Sequence, residues 1–274
     1  MMTRFLISLG NEVRKGLAFA WSERLQILIE LPMFAVFVLL LGPLLGAGHQ
    51  IASGQVRWSL NSGRVSVLVV WFIPFMFFYM QVVKLFWRLL GEIQSGTLEQ
   101  VYLSPLPSWL VAAAGRVAAA LLESALVAGA TYGIVSVFVP LHIGWRAPAL
   151  LPAALLAVTV TGFSLIIAGA TLVWKRIQLV NDAVMLMVML FSAGAVPLIA
   201  VPGWWAATGR LFPVTGGVAS LYNVLFRHQP ATALWGTGGL VWLLVTAAAY
   251  LAAGIGAFKL GERTAKRRGS LGRY

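Results

Sequence analysis

Six long apolar runs without a single charge dominate the pattern along the chain, at residues 31–47, 65–83, 124–141, 147–174, 183–202 and 234–258. A helix needs about 20 predominantly apolar residues to cross a bilayer. The pattern therefore predicts an all-α integral membrane protein with six transmembrane helices, at 27–47, 65–86, 114–140, 148–174, 183–202 and 234–258. The first and third begin ahead of their apolar runs and so take Glu30 and Glu123 to the membrane boundary or inside it. Before them, "RFLISLGNEVRKGLAFAWSERLQIL" sets Phe5, Leu6, Leu9, Val13 and Leu17 among charges at roughly helical spacing. That predicts an interfacial helix over 1–26 lying on the inner leaflet.

Between the fifth and sixth runs, "GWWAATGRLFPVTGGVASLYNVLFRHQPA" is aromatic and sparsely charged. Pro213 and the Gly216–Gly217 pair break a continuous helix there, which leaves a pair of short helices dipping into the outer leaflet. Trp204 and Trp205 suit the headgroup belt. Gly42 and Gly46, and Gly129 and Gly133, have the spacing that lets helix backbones approach closely. In a chain with 28 glycines, chance or ordinary packing explains such spacings as well. The chain shows no internal repeat and reads as one membrane domain, 1–274.

Composition agrees with the pattern: 60% of residues are apolar, 10% are charged and the mean hydropathy is +0.88, so a water-soluble core is excluded. The net charge of +12 would suit nucleic acid if the cations formed one patch. They sort instead by side of the membrane. With a cytosolic N-terminus the inner segments hold Arg4, Arg14, Lys15, Arg24, Lys84, Arg88, Lys175, Arg176 and the cations from Lys259 to Arg273, whereas the outer loops hold only Arg57, Arg64, Arg146, Arg210 and Arg227. Both termini are thus expected in the cytosol, with "KLGERTAKRRGSLGRY" as an anchor at anionic lipid, and no nucleic-acid partner. The first 30 residues mix both charge signs and are long for a signal-peptide n-region, so no cleavage is expected. Without cysteine there is no disulfide framework, thiolate chemistry or sulfur metal site.

Candidate chemistry centres on "GEIQSGTLEQVYLSPLP", residues 91–107, between spans two and three on the cytosolic side. Thr97 and Gln100 fit a capping box, Gly96 permits a turn, and Pro105 and Pro107 end helical geometry. A helix over 98–103, about 10 Å long, follows. Leu98, Val101 and Tyr102 share one face, with Glu99 and Gln100 toward the other. Arg116 and Glu123, seven residues apart, lie on nearly one face of the third span. Glu123 is expected to face the bundle or a wet cavity, as part of a structural pair or a contact to another helix, or as a ligand for a cationic substrate. Trp71, Phe75 and Phe78, with Met185 and Met189, form stripes that suit either packing or a permissive substrate cavity. Asp182 is expected at the start of the fifth helix, complementing its dipole. His49, His142 and His228 have no metal-ligand spacing, and no G-x-x-x-x-G-K-S/T loop cradles nucleotide phosphates.

The segment "GEIQSGTLEQVYLSPLPSWLVAAAGR" resembles the E-x-x-x-GTLE-x-L-x-x-S/T-P-L segment of ABC-2 type permeases, the membrane subunits of ATP-binding-cassette exporters. "DAVMLMVMLFSAGAVPLIAVPGWWAATGRLFPVTGGVASLYNVLFR" is similar to that family's fifth span and outer loop. It departs in Ala193, between Ser192 and Gly194, and in "PVTGG", where many relatives have a proline, a small residue and a tyrosine. The resemblance implies a non-enzymatic permease in a prokaryotic cell membrane that pairs with a second copy or a paralogue. Separate ATPase subunits would hold ATP and magnesium, with no cofactor on this chain. It further implies that Glu92, Gly96, Thr97, Leu98, Glu99, Gln100, Val101, Tyr102 and Pro105 form a coupling segment seated in a cleft of the ATPase. The cargo would be a hydrophobic drug, natural product, lipid or glycan. The alternatives are an ion-coupled secondary transporter, for which paired intramembrane carboxylates would be expected, and a lipid-modifying membrane enzyme, for which a catalytic cluster would be.

Overall fold

In hydrocarbon every backbone N–H and C=O has to be satisfied within its own segment, so apolar runs of this length fold as helices. The computed structural model describes residues 2–22, 24–51, 62–97, 108–144, 146–174, 177–195, 201–236 and 238–268. Its helices are α1 (Met2–Ser22), α2 (Arg24–Ile51), α3 (Ser62–Gln94), α4 (Ser108–Phe138), α5 (Leu150–Val173), α6 (Gln178–Ser192), α7 (Gly203–Gly209), α8 (Thr215–Leu225) and α9 (Leu240–Arg267). Short 3-10 turns at Ala147–Ala149 and Ala193–Ala195 adjoin α5 and α6. Among the described residues there is no strand.

Among the described residues, four stretches are long and apolar enough to cross a membrane: Ser62–Gln94, Gly115–Phe138, Ala147–Val173 and Leu240–Arg267. The chain thus has the build of an all-helical, multi-pass membrane protein. The other two expected spans are represented by shorter apolar stretches, Ile27–Leu41 and Gln178–Ser192.

α3 lies at the centre of the bundle: 78% of its apolar window is buried, against 17% for α9 at the periphery. Pro74 sits inside α3 and leaves the Val70 carbonyl without its helical donor, which neighbouring helices make tolerable in a buried span. α2 reaches α3 through aromatic side chains, with Phe37 stacked on Phe72 at 5.0 Å and Phe34 edge-on to Tyr79 at 6.3 Å. α1 packs against the first half of α4, where Gly16 admits the Ala119 methyl.

α5 and α9 pack along most of their length, and four glycines explain how. A Cβ on Gly162 would strike the Tyr250 carbonyl, and one on Gly169 would strike the Ala257 carbonyl at 2.5 Å. Gly254 and Gly261 abut the carbonyls of Gly162 and Gly169 in return. Residue numbers rise together along both helices, so α5 and α9 are parallel. α3 runs the same way, since Phe78 meets Phe163 at 5.3 Å while Leu85, Leu89 and Ile93 pack with Leu165, Ala168 and Leu172. The C-terminal ends of α3, α5 and α9 therefore gather at one end of the bundle. That end holds Arg88 of α3 and Lys259, Arg263, Lys266 and Arg267 of α9, which gives it a basic character.

Several boundaries differ from the expected ones. α3 continues past residue 86 to Gln94 because its polar residues find partners on α4. α9 starts at Leu240 rather than 234, because Gly236 and Gly238 turn the chain with φ of 105° and 80°. It runs on past residue 258 to Arg267, supported by a Lys266–Glu262 pair at 2.6 Å and by cations in its last turn. α6 starts at Gln178 and stops at Ser192, short of 202. Asp182 consequently falls outside the first turn, and Ile177 occupies the cap position without a side-chain bond, so the expected dipole role is corrected. The segment between α6 and α9 does form two short helices, α7 and α8, broken at 210–214. Gly216 and Gly217, expected to interrupt a helix, lie inside α8, where the missing Cβ lets Gly217 press on Leu156 of α5. Gly129 and Gly133 meet nothing within 4 Å at a Cβ position and mediate no close approach. The side-chain surroundings of Gly42 and Gly46 lie outside the described residues.

Candidate functional site

On α3, Lys84, Arg88 and Glu92 recur every fourth residue and so share one face. On α4, Arg116 and Glu123 are seven apart and share a face too. The two helices run antiparallel, which interleaves the sets. Arg116 donates through Nη2 to Glu92 Oε2, Arg88 donates through Nη2 to Glu123 Oε2, and Lys84 Nζ stands 3.5 Å from Glu123 Oε1. α1 joins through Lys15, whose Nζ donates to Glu92 Oε1 at 3.4 Å. The side chains of Lys84, Arg88, Arg116 and Glu123 are at most 7% exposed, whereas that of Lys15 is 40% exposed. Ions this deep persist because they are paired, and removal of one partner leaves the other stranded in low dielectric.

Glu92 stands in the last turn of α3, two residues before its end. The helix closes with Ser95 N–H donating to the Gly91 carbonyl at 2.9 Å and Gly96 N–H donating to the Ile93 carbonyl at 3.3 Å. Gly96 has a φ of 70°, the left-handed conformation that ends helices and that costs any residue with a Cβ about 1–2 kcal/mol. The Ser95 and Thr97 hydroxyls are 2.9 Å apart, and each lies within 3.5 Å of the Glu92 carbonyl oxygen. Thr97 is again helical. The turn thus rises directly from a residue anchored to both α4 and α1. Leu98, Glu99, Gln100, Val101, Tyr102 and Pro105 lie outside the described residues.

The residues expected around a substrate cavity separate into groups. Trp71 and Phe75 stack with centroids 6.2 Å apart, Trp71 Nε1 donates to Ser192 Oγ of α6 at 3.0 Å, and Met185 is buried in the same cluster with Met189 at its margin. Phe78 lies in the same buried cluster and also meets Phe163 of α5. Glu123 stands apart in the ion-pair cluster, where it meets α3 rather than Arg116 of its own helix. An apolar cavity of about 410 Å³ lies elsewhere, lined by Val69, Ile73, Phe77, Tyr132, Leu156 and Leu225 among others, and none of the six expected residues lines it.

Sequence reasoning assigned Lys15, Lys84 and Arg88 to the cytosolic charge bias and missed them as site residues. The four-residue spacing of Lys84, Arg88 and Glu92 was the available signal. Among the described residues no three histidine, aspartate or glutamate side chains gather as metal ligands would. In comparison with known proteins, no family model matches the chain and no curated protein matches it.

Proposed function

We propose that this chain is the permease subunit of an ATP-driven exporter of the ABC-2 type, working as a dimer with separate ATPase subunits. The observation that carries this reading is the anchoring of Glu92. The resembling segment begins at a carboxylate that grips α4 through Arg116 and α1 through Lys15, one turn ahead of the Gly96 turn. A displacement imposed on the segment after Thr97 would be delivered to three helices at once. That linkage is what a membrane subunit without its own nucleotide site requires. Force would pass along α3 and α4 toward the half of the bundle where Trp71 contacts α6.

The parallel run of α5 and α9 supports six crossings. α5 ends at the basic end and α9 starts at the opposite one, so the chain between them recrosses. α6 begins five residues after α5 ends, and its last residue, Ser192, reaches Trp71 in the other half of α3. Its 15 residues span about 22 Å against a hydrocarbon core of about 30 Å, a deficit that the following 3-10 turn shortens. α2, antiparallel to α3, completes the set. The basic end then faces the cytosol under the positive-inside rule.

The test is purification of the full chain from its native membrane. Wild type should carry an ATPase subunit and ATP hydrolysis with it, and Glu99→Lys should release both while keeping the fold. Full-rate cargo movement by the isolated chain in proteoliposomes, without ATP, would overturn the reading.

A further inference from the structure

The apolar cavity of about 410 Å³ lies between the first half of α3, the second half of α4, the start of α5, and α8. Among the described residues every side chain that lines it is pure hydrocarbon except that of Tyr132, and none is charged. Val69 and Phe77, both in its α3 wall, are eight residues apart, which gives it a length of about 12 Å along the bundle. Leu221 and Leu225 of α8 contribute a further wall and are buried.

Two features say what fills it. The first is the mouth. Ala125 and Gly129 of α4 and Ala153 of α5 line the cavity and are exposed. Leu122, Ala125, Leu126 and Gly129 share one face of α4, and Leu150 and Ala153 share one of α5. Leu126 and Leu150 are 69% and 72% exposed, so the mouth lies on surfaces that already present bare hydrocarbon. A Cβ at Gly129 would meet nothing within 4 Å. Both helices contain a stretch apolar enough to cross a membrane, and the gap between them therefore opens sideways into the bilayer rather than into water.

The second feature is size. About 410 Å³ over about 12 Å of length leaves a cross-section of roughly 34 Å², less than half of what a helix about 10–12 Å across occupies. A helix of another chain is thus too thick. Scaled from an apolar cavity of about 150 Å³ that takes up benzene, the volume holds about 16 carbons, one long hydrocarbon chain. Apolar cavities of this kind stay dry, and an empty one forfeits the dispersion contacts of its walls.

We infer that the cavity takes up one acyl chain of a membrane lipid, which enters sideways between α4 and α5. The chain fills the space that the small residues of both helices leave open, and it touches α3 and α8 behind them. The site stands whether or not an ATPase drives the protein.

The test uses the full chain in phosphatidylcholine vesicles in which part of the lipid carries a photoreactive diazirine midway along one acyl chain. After irradiation, peptide mapping should find the lipid on the buried walls, at Val69, Leu221 and Leu225, as well as on the exposed Leu126. Gly129→Phe combined with Ala153→Leu places bulk on both sides of the mouth. That variant should lose labelling of the buried walls and keep that of Leu126, the internal sign that it still sits in the bilayer. Ala157→Phe, which fills the cavity from α5, should act in the same way. Wild-type labelling confined to exposed side chains, or wall labelling that neither variant changes, overturns the inference. Disulfide-linked dimers of Leu126→Cys together with unlabelled walls would assign the mouth to a second copy and overturn it too.

Discussion

Glu123 shows how a single buried charge acquires its role from its neighbours. The sequence places it in a span and requires it to face away from lipid, and the structure gives it Lys84 and Arg88 as partners. Glu123→Leu should remove the carboxylate that Arg88 and Lys84 face and destabilise the fold by about 3–5 kcal/mol, read as a lower unfolding temperature in detergent. Replacement of all three, Lys84→Met and Arg88→Met together with Glu123→Leu, should recover most of that loss, because an apolar cluster of similar volume needs no counter-charge. Failure of the triple variant to recover would mean that the ions contribute more than mutual neutralisation. The partners were not legible from α4 alone, since Arg116 is the nearest opposite charge on that helix and yet binds Glu92.

At the scale of elements, glycines that resemble a packing motif and glycines that act as one are different residues. Gly129 and Gly133 have the familiar four-residue spacing and face open space. Gly162 and Gly169 on α5, with Gly254 and Gly261 on α9, are seven apart and let two parallel backbones touch. Gly169→Leu should therefore force α5 and α9 apart, at an overpacking cost of about 1–3 kcal/mol, measured as lost thermal stability. Gly133→Ala should stay within about 0.5 kcal/mol of wild type in the same assay. The heptad pairs escaped notice in the sequence because their meaning depends on which helix lies opposite, and α9 follows α5 only after α6, α7 and α8. The existence of the long helices was legible, because apolar length alone fixes it. Their ends were not, since α3 and α9 are extended by ion pairs that apolar runs do not record.

For the whole molecule, the common direction of α3, α5 and α9 yields a topology that labelling can check. The chain has no cysteine, so single introduced cysteines report cleanly. Thr97→Cys and Arg267→Cys should react with a membrane-impermeant maleimide from the same side, the cytosolic one, and Gly63→Cys and Trp235→Cys from the other. Labelling of Thr97 and Arg267 from opposite sides would break the parallel arrangement. The sequence by itself determined the helical class, where the long apolar helices lie and that cations gather toward one end, because hydropathy and charge act on each segment separately. Only the tertiary structure decided which charges neutralise which, and that α5 and α9 meet backbone to backbone. Those are pairings between residues distant along the chain, and pairing energies depend on geometry that no single segment contains.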